Sequence, residues 1–161
     1  LSGDWVSHIN DSKRMTAKRR QYVLGHLQES AIALQTGMSS VEEVDQLGIV
    51  EAVQLAMRRA LFSLPILPQF LLMDAFELNG IDIPQKAIVK GDSLSMSIAA
   101  ASILAKETRD SLMVGLHDQF PEYGFDRHKG YGTKQHIEAL KLYGPCSVHR
   151  RTFRPVSEYI D

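Results

Sequence analysis

The chain has 161 residues, of which 44% are hydrophobic and 23% are charged, a composition that indicates one globular domain, or part of one. No apolar run approaches the roughly eighteen residues that cross a bilayer, and the first residues lack a signal pattern. We therefore expect a soluble, cytoplasmic protein with no membrane partner. Its one cysteine, Cys146, excludes an internal disulfide and a cysteine-rich zinc cluster. The first residue is not methionine, and we expect the chain to begin inside a longer one.

The net charge of −1 conceals a division of charge along the chain. Residues 127–154 carry seven cations and one anion, whereas residues 1–126 carry eleven cations and sixteen anions. A basic segment on an acidic body is typical of a surface that contacts a phosphate backbone. The alternative is a basic helix surface that is merely solvated, and charge alone does not separate the two.

The first part of the chain predicts helices. Thr16 is a good N-cap for a helix over about 17–31, and a short strand over 31–37 is expected to follow. A Ser-x-x-Glu capping box at Ser40 then begins a long amphipathic helix over 44–61, which two prolines end.

Two short strands and a second long helix come next. The apolar run 70–76 predicts a buried strand in a sheet covered on both faces, with Asp74 as its one charged residue. A further strand is expected over 87–90 and a helix over 95–119, whose small residues allow close packing. The remaining chain predicts a loop, a short helix and an extended basic tail, at 130–132, 133–143 and beyond. Strands that alternate with helices predict an α/β domain.

Two aspartates are candidates for metal chemistry. Asp74 lies where an apolar strand ends, and ligands gather at the carboxyl ends of strands in open α/β sheets. Asp110 follows Lys106 by four residues and so shares its helical face. Carboxylates so placed could hold Mg²⁺ together with water and phosphate oxygens. The alternatives are a turn or capping aspartate for Asp74 and a plain surface ion pair with Lys106 for Asp110.

Residues of the basic segment are candidates for nucleic-acid contact. The spacing of His128, His136 and His149 matches no standard zinc pattern, and we expect contact with phosphate or a proton-carrying role. Tyr131 lies between two glycines and suits stacking on a sugar or base, although it could equally cover the edge of the core. Outside this segment, Lys13 lies near a helix start, where it holds a phosphate or is simply exposed.

Several strings closely resemble those of bacterial ribonuclease HII. They cover essentially the whole chain in the family's order: Asn10-Asp11-Ser12-Lys13, Lys90-Gly91-Asp92, the run Ser97–Lys106, Thr108-Arg109-Asp110, Tyr123-Gly124-Phe125, His128-Lys129-Gly130-Tyr131-Gly132-Thr133, His149-Arg150 and Thr152-Phe153. The resemblance implies an α/β, ribonuclease H-like fold, with a mixed sheet flanked by helices and a C-terminal helical and basic extension. It also implies one catalytic domain over 1–161, shortened at its N-terminus.

The activity implied by the resemblance is endonucleolytic cleavage of the RNA strand in RNA–DNA hybrids and at ribonucleotides embedded in duplex DNA. In the family, four carboxylates hold two Mg²⁺ or Mn²⁺ ions. Asp74 matches the third of these and Asp110 the fourth. Tyr131 matches the tyrosine that stacks at the RNA–DNA junction. The remaining matches are expected to bind substrate, and the protein to act as a monomer; these residues are Lys13, Lys90, His128, Lys129 and Arg150.

The chain departs from the family pattern at its start. Family members open with a strand that bears Gly-x-Asp-Glu-Ala-Gly-Arg-Gly and supplies the first two carboxylates, and no adjacent Asp-Glu pair occurs here. Two hypotheses follow. The chain is a truncated ribonuclease HII, which we favour because the family's first strand is central to its sheet, or it is a non-catalytic nucleic-acid-binding remnant. Either way, we expect negligible hydrolysis by the 161 residues alone.

Overall fold

The structure is a computed structural model that describes residues 3–160. Its α-helices are α1 (Ala17–Ser30), α2 (Val41–Leu47), α3 (Ile49–Phe62), α4 (Gly91–Leu94), α5 (Met96–Gln119), α6 (Phe125–His128) and α7 (Lys134–Tyr143). Its strands are β1 (Leu71–Asp74) and β2 (Gln85–Ile88), and short 3-10 helices cover Asp4–His8, Pro121–Tyr123 and Val156–Tyr159.

The chain divides into two compact units. Unit 1 comprises the chain up to Met38 together with Gln54–Glu107. Unit 2 comprises Ser39–Val53 and the chain from Thr108 onward. The two strands, α1 and the first half of α5 thus belong to unit 1, whereas the basic segment belongs to unit 2.

In unit 1, the core forms between α1 and the first half of α5. Val23 and Leu27 of α1 are almost completely buried and cluster with Ala100 and Ile103 of α5. Helical spacing of these residues puts them on one face of each helix. The helix over 17–31 is confirmed, since α1 ends at Ser30 and the Thr16 side chain accepts a hydrogen bond from the Arg19 amide.

A buried ion pair accompanies this core. Arg20 Nε lies 2.5 Å from Glu107 Oε1, and both side chains are about 10% exposed. Arg20 also donates to the Met15 carbonyl at 2.9 Å. Because removing one partner would leave a buried charge uncompensated, this pair constrains α1 to one position on α5.

The described sheet is a parallel pair. Leu71 of β1 is in register with Gln85 of β2, and Asp74 with Ile88. Both predicted strands are present, although β2 lies two residues earlier than expected. The burial predicted for β1 is wrong: Leu72 is 42% exposed, and the other residues of the strand are only partly buried.

The predicted strand over 31–37 is also wrong. These residues have no strand partner among the described residues and form an extended segment without regular structure. Gly37 ends the segment against α3, where an added Cβ would lie 1.9 Å from the Ala56 carbonyl oxygen. Packing of backbone on backbone therefore fixes this segment, in place of a β ladder.

The long helix predicted over 44–61 is two helices. The capping box is confirmed, since Ser40 accepts from the Glu43 amide and the Glu43 carboxylate accepts from the Ser40 amide. Gly48 then adopts φ 77° and ψ 164°, a conformation that no helix contains and that glycine adopts readily. Gly48 is therefore the single residue between the end of α2 and the start of α3.

The core of unit 2 joins α7 to the turns around it. Its buried residues are Met113, Tyr123, Phe125, Ala139, Leu140 and Val156. The helix predicted over 133–143 is confirmed as α7, and Thr133 accepts from the His136 amide as its N-cap. The helix predicted over 95–119 is confirmed as α5. The tail predicted as extended instead forms a series of turns and a 3-10 helix.

Gly37→Ala tests the close approach to α3. The new methyl group would meet the Ala56 carbonyl oxygen at 1.9 Å and the Ala60 amide nitrogen at 2.6 Å, so backbone must move, and we expect a loss of about 3 kcal/mol in the free energy of unfolding. Gly25→Ala is the matched control, since nothing lies within 4 Å of its Cβ position and alanine favours helix by about 0.5–1 kcal/mol. Urea unfolding measures both, and equal stabilities for the two variants would contradict the packing described.

Candidate active site and nucleic-acid interface

Asp74 is the last residue of β1, and its carboxylate is held by the turn that follows β2. Asp74 Oδ1 accepts a hydrogen bond of 2.8 Å from the Gly91 amide. Ala75 directly after it has φ 68°, so the chain turns sharply away from the strand. Asp74 therefore has the turn role that was the alternative to metal binding. The same hydrogen bond also fixes the orientation of the carboxylate, as is typical of carboxylates that bind metal ions.

The Lys90-Gly91 turn suits this contact sterically. Lys90 is in the left-handed region, with φ 57°. A Cβ on Gly91 would lie 2.5 Å from Ile98 Cδ1 and 3.4 Å from Asp74 Oδ1. A larger residue at 91 would therefore displace the end of the Ile98 side chain. The Lys90 side chain is exposed beside the turn.

Lys13 lies at the same end of unit 1. Its ammonium is 3.9 Å from Asp92 Oδ2, and its side chain is 77% exposed. An exposed pair at this distance contributes little to stability. Lys13 and Lys90 are thus two accessible cations on segments linked to the Asp74 turn.

Asp110 and Arg109 lie on α5 in the part that belongs to unit 2. Asp110 is half-buried. Arg109 Nη1 donates to the Lys129 carbonyl at 2.7 Å, and its guanidinium lies 5.5 Å from the centre of the Tyr131 ring. Arg109 therefore fixes the backbone of the glycine-rich loop and contacts the ring that the loop presents.

The glycine-rich loop presents Tyr131 to solvent. Lys129 and Gly130 both have positive φ, of 50° and 77°, and the Tyr131 side chain is 57% exposed. The Tyr131 amide donates to the His128 carbonyl at 2.9 Å, and the Lys129 ammonium donates to the Asp126 carbonyl. The exposed ring suits stacking, whereas the Lys129 ammonium also serves the fold of the loop.

His128 does not face solvent. It is 7% exposed, its Nε2 bonds to the Tyr123 carbonyl at 2.7 Å and its Nδ1 accepts from the Gly130 amide at 3.2 Å. Both ring nitrogens are thus engaged within unit 2. This geometry favours a structural role over the predicted contact with substrate.

His136 and His149 are also buried, each 5% exposed. Their Nε2 atoms are 3.0 Å apart, His136 Nδ1 lies 3.0 Å from the Tyr131 carbonyl, and His149 Nδ1 accepts from the Cys146 amide at 3.1 Å. Burial lowers the pKa of both imidazoles, that of His149 to about 4. Neither is accessible to a phosphate, so the predicted phosphate contact does not hold for these two.

The basic tail is fixed by Asp45 of α2. Its carboxylate accepts hydrogen bonds from the Arg151 amide at 2.7 Å, the Thr152 amide at 3.0 Å and the Thr152 hydroxyl at 2.6 Å. Partial burial opposes ionisation of Asp45, but these bonds and the charge of Arg150 hold its pKa below the usual range. The Arg150 guanidinium stacks on Phe153 at 4.0 Å.

Sequence reasoning missed two of these residues. Asp45 lies 106 residues before Arg151, and no local pattern connects them. Arg109 belongs to one of the strings that resemble the family, but its spacing from Lys129 in the sequence carries no signal, because the conformation of the loop brings the two residues into contact.

Divalent metal ions prefer oxygen ligands, and Asp74 and Asp110 supply that donor type. Within residues 3–160, however, no group of three or more histidine, cysteine, aspartate or glutamate side chains could hold a metal ion. The described residues alone therefore do not constitute a metal centre. Among the same residues, no helix is long and apolar enough to cross a membrane.

Comparison with solved structures defines the fold. The structure is similar to the crystal structure of ribonuclease H2 from Pyrococcus horikoshii OT3, with a TM-score of 0.70 and 24% identity over 96% of this chain and 80% of that chain. The α/β fold predicted from the sequence is thus confirmed as that of a type 2 ribonuclease H.

Sequence comparison then defines the family. The family model for Ribonuclease HII matches residues 7–156. Curated Ribonuclease HII proteins are 49% identical in Delftia acidovorans and 48% in Desulfitobacterium hafniense, over 96% and 95% of this chain and 66% and 59% of theirs. That of Chlamydia pneumoniae is 52% identical over 93% of this chain and 70% of its own. The chain belongs to the ribonuclease HII family, of bacterial type, and spans less than two thirds of the first two relatives.

Titration of His149 should make unit 2 less stable in acid. Because its pKa is about 4 in the folded chain and about 6.5 when unfolded, the unfolded state binds the proton more tightly. The contribution of neutral His149 to the free energy of unfolding is complete above pH 6.5 and is lost as the pH falls toward 4. Between pH 7.5 and pH 5 we expect a loss of about 2 kcal/mol in the free energy of unfolding.

Urea unfolding at a series of pH values measures this effect. In His149→Gln the pH dependence should become shallower, whereas in the control His8→Gln, at an exposed histidine, it should persist. An identical pH profile for wild type and His149→Gln would contradict a depressed pKa.

Proposed function

We propose that the protein is an endonuclease that hydrolyses the RNA strand of RNA–DNA hybrids and cleaves at ribonucleotides embedded in duplex DNA. The family match over residues 7–156 is the observation that carries the proposal. The oriented carboxylate of Asp74, the exposed ring of Tyr131 and the basic segment support it, since these are the parts that a nuclease for a duplex needs.

In this proposal Asp74 and Asp110 are ligands of the divalent metal ions on which the family generally depends, and these ions are proposed to be Mg²⁺ or Mn²⁺. Each is a half-buried carboxylate, and Asp74 is held in one orientation by the Gly91 amide. Two carboxylates do not by themselves complete a metal centre. Their proposed contribution is negative charge and oxygen donors at fixed positions.

Substrate binding is assigned to exposed and partly exposed groups. Tyr131 is proposed to stack on a sugar or base, because its ring is accessible and its loop is held by Arg109. Arg150 and Lys129 of unit 2, and Lys13 and Lys90 of unit 1, are proposed to contact phosphates. His128 is not included, because both of its ring nitrogens bond within the fold.

A second candidate function is nucleic-acid binding without hydrolysis. The observation that favours it is that residues 3–160 contain no set of three metal-ligating side chains. Incision separates the two functions, since a protein that only binds would leave the phosphodiester intact. We also propose a cytoplasmic location and a monomeric state.

Duplex binding by the 161-residue chain should depend on salt through the basic segment. Each phosphate-contacting cation releases counterions on binding, so Arg150→Met should reduce the slope of log Kd against log salt by about one. Fluorescence anisotropy of a labelled duplex with one ribonucleotide, between 50 and 200 mM KCl (about the range over which this effect is large), measures the slope. Lys18→Ala, which removes an exposed cation of α1, should leave it unchanged; a slope near zero in the wild type would overturn the phosphate assignment.

Asp74→Asn and Asp110→Asn test the carboxylates. In the protein expressed from the complete reading frame that contains this chain, each should lower the rate of incision more than about a hundredfold with duplex affinity largely kept. Asparagine at 74 still accepts from the Gly91 amide, so charge is removed with the turn intact. Asp82→Asn, at an exposed aspartate of unit 1, is the control, and undiminished incision by Asp74→Asn would restore a purely structural role.

A further inference from the structure

The backbone of Tyr131 is bound to a buried pair of histidines. The Tyr131 carbonyl accepts from His136 Nδ1 at 3.0 Å, while the Tyr131 side chain points toward solvent and is 57% exposed. His136 lies in the first turn of α7, next to the Thr133 cap. A residue of α7 thus holds the backbone of the residue that the proposed function assigns to substrate stacking.

The proton positions along this chain of hydrogen bonds are determined by its two ends. At one end the Cys146 amide can only donate, so His149 Nδ1 accepts and the proton of this ring is on Nε2. His149 Nε2–H then donates to His136 Nε2 over 3.0 Å. The His136 proton is therefore on Nδ1, from which it donates to the Tyr131 carbonyl, which can only accept.

Both histidines must be neutral for this arrangement to exist. A second proton on His149 Nδ1 would oppose the Cys146 amide, and a second proton on His136 Nε2 would oppose the His149 Nε2–H. The groups around the pair are His128, stacked on His136 at 4.4 Å, the Cys146 thiol, whose Sγ lies 3.0 Å from His149 Nδ1, and the rings of Tyr123 and Phe125, 4.9 Å and 5.4 Å from His149. Burial raises the pKa of the Cys146 thiol, so this neighbour is a neutral S–H that can donate to Nδ1 beside the Cys146 amide. Among these packed rings no carboxylate offsets a charge, and burial lowers the pKa of both histidines.

We infer that His136 and His149 are positioning residues that hold Tyr131 in the conformation that stacks on the nucleic acid, through one directed chain of hydrogen bonds from the Cys146 amide to the Tyr131 carbonyl. The inference rests on the proposed role of Tyr131 in substrate binding. The inference also gives these two buried histidines a function within a segment that is rich in cations.

Variants at His136 distinguish the effect of its hydrogen bonds on Tyr131 from the effect of the volume of its ring. His136→Phe keeps a ring in the core but removes both hydrogen bonds. His136→Asn places an amide NH₂ near the position of Nδ1, so the donor to the Tyr131 carbonyl is retained. Leu140→Ala is the matched control, because Leu140 lies on the same helix and is 1% exposed but has no polar group to offer the loop.

The first measurement is duplex affinity of the 161-residue chain, well below the unfolding temperature of every variant. Tyr131→Ala should weaken binding of a duplex with one ribonucleotide by about tenfold, the usual size of one lost base stack. His136→Phe should weaken it several-fold, and the double variant no more than Tyr131→Ala alone, because His136 acts through Tyr131. His136→Asn and Leu140→Ala should bind within about twofold of wild type.

The second measurement needs no substrate. Hydrogen exchange at the amides of residues 129–133 should be faster in His136→Phe and in His149→Phe than in wild type, and unchanged in His136→Asn and Leu140→Ala. Equal exchange in His136→Phe and wild type would overturn the inference, as would fully additive losses of affinity in the double variant. If Tyr131→Ala binds like wild type, the stacking role in the proposed function fails instead, and the inference with it.

Discussion

Hydrogen bonds from side chains to backbone hold the loops that carry the candidate site. Outside the helices and the parallel pair of strands, the described backbone has no ladder, and its polar groups are satisfied by backbone bonds within turns and by side chains. Asp74 accepts from the Gly91 amide, Arg109 donates to the Lys129 carbonyl, and Asp45 accepts from the Arg151 and Thr152 amides. Each of these bonds joins residues that are distant in sequence, so the loops depend on the folded core for their conformation.

This constraint divides the charged residues into two kinds. Some are used by the fold, such as Asp45 on the tail and Arg20 against Glu107. Others are only partly compensated. Burial and the nearby charge of Arg109 lower the pKa of Arg150, whereas the carboxylate of Asp45 raises it, so the two guanidinium groups still repel one another. A phosphate backbone close to both arginines would reduce that repulsion. Like charges placed together in this way lower the stability of the free protein but favour the binding of an anion.

Local signals predicted the helices well, because caps and apolar spacing act over a few residues. Thr16 begins α1 and the box at Ser40 begins α2 as expected. The errors lie where a distant contact decides. Apolar spacing continues across Gly48 although its backbone is not helical, and residues 31–37 have strand-like composition but no partner strand in the described chain. Both strands were located, whereas the exposure of β1 depends on which neighbours it has.

The residues of the site were recognised by their resemblance to a family, and their environment was not predictable in the same way. Histidines among lysines and arginines suggested contact with phosphate, yet His136 and His149 are buried and bonded to one another. Because burial keeps both neutral, they add no charge to the basic segment near neutral pH. The contacts proposed with an anionic backbone are therefore those of lysine and arginine side chains, and the role proposed for these two histidines is to hold the aromatic ring beside them.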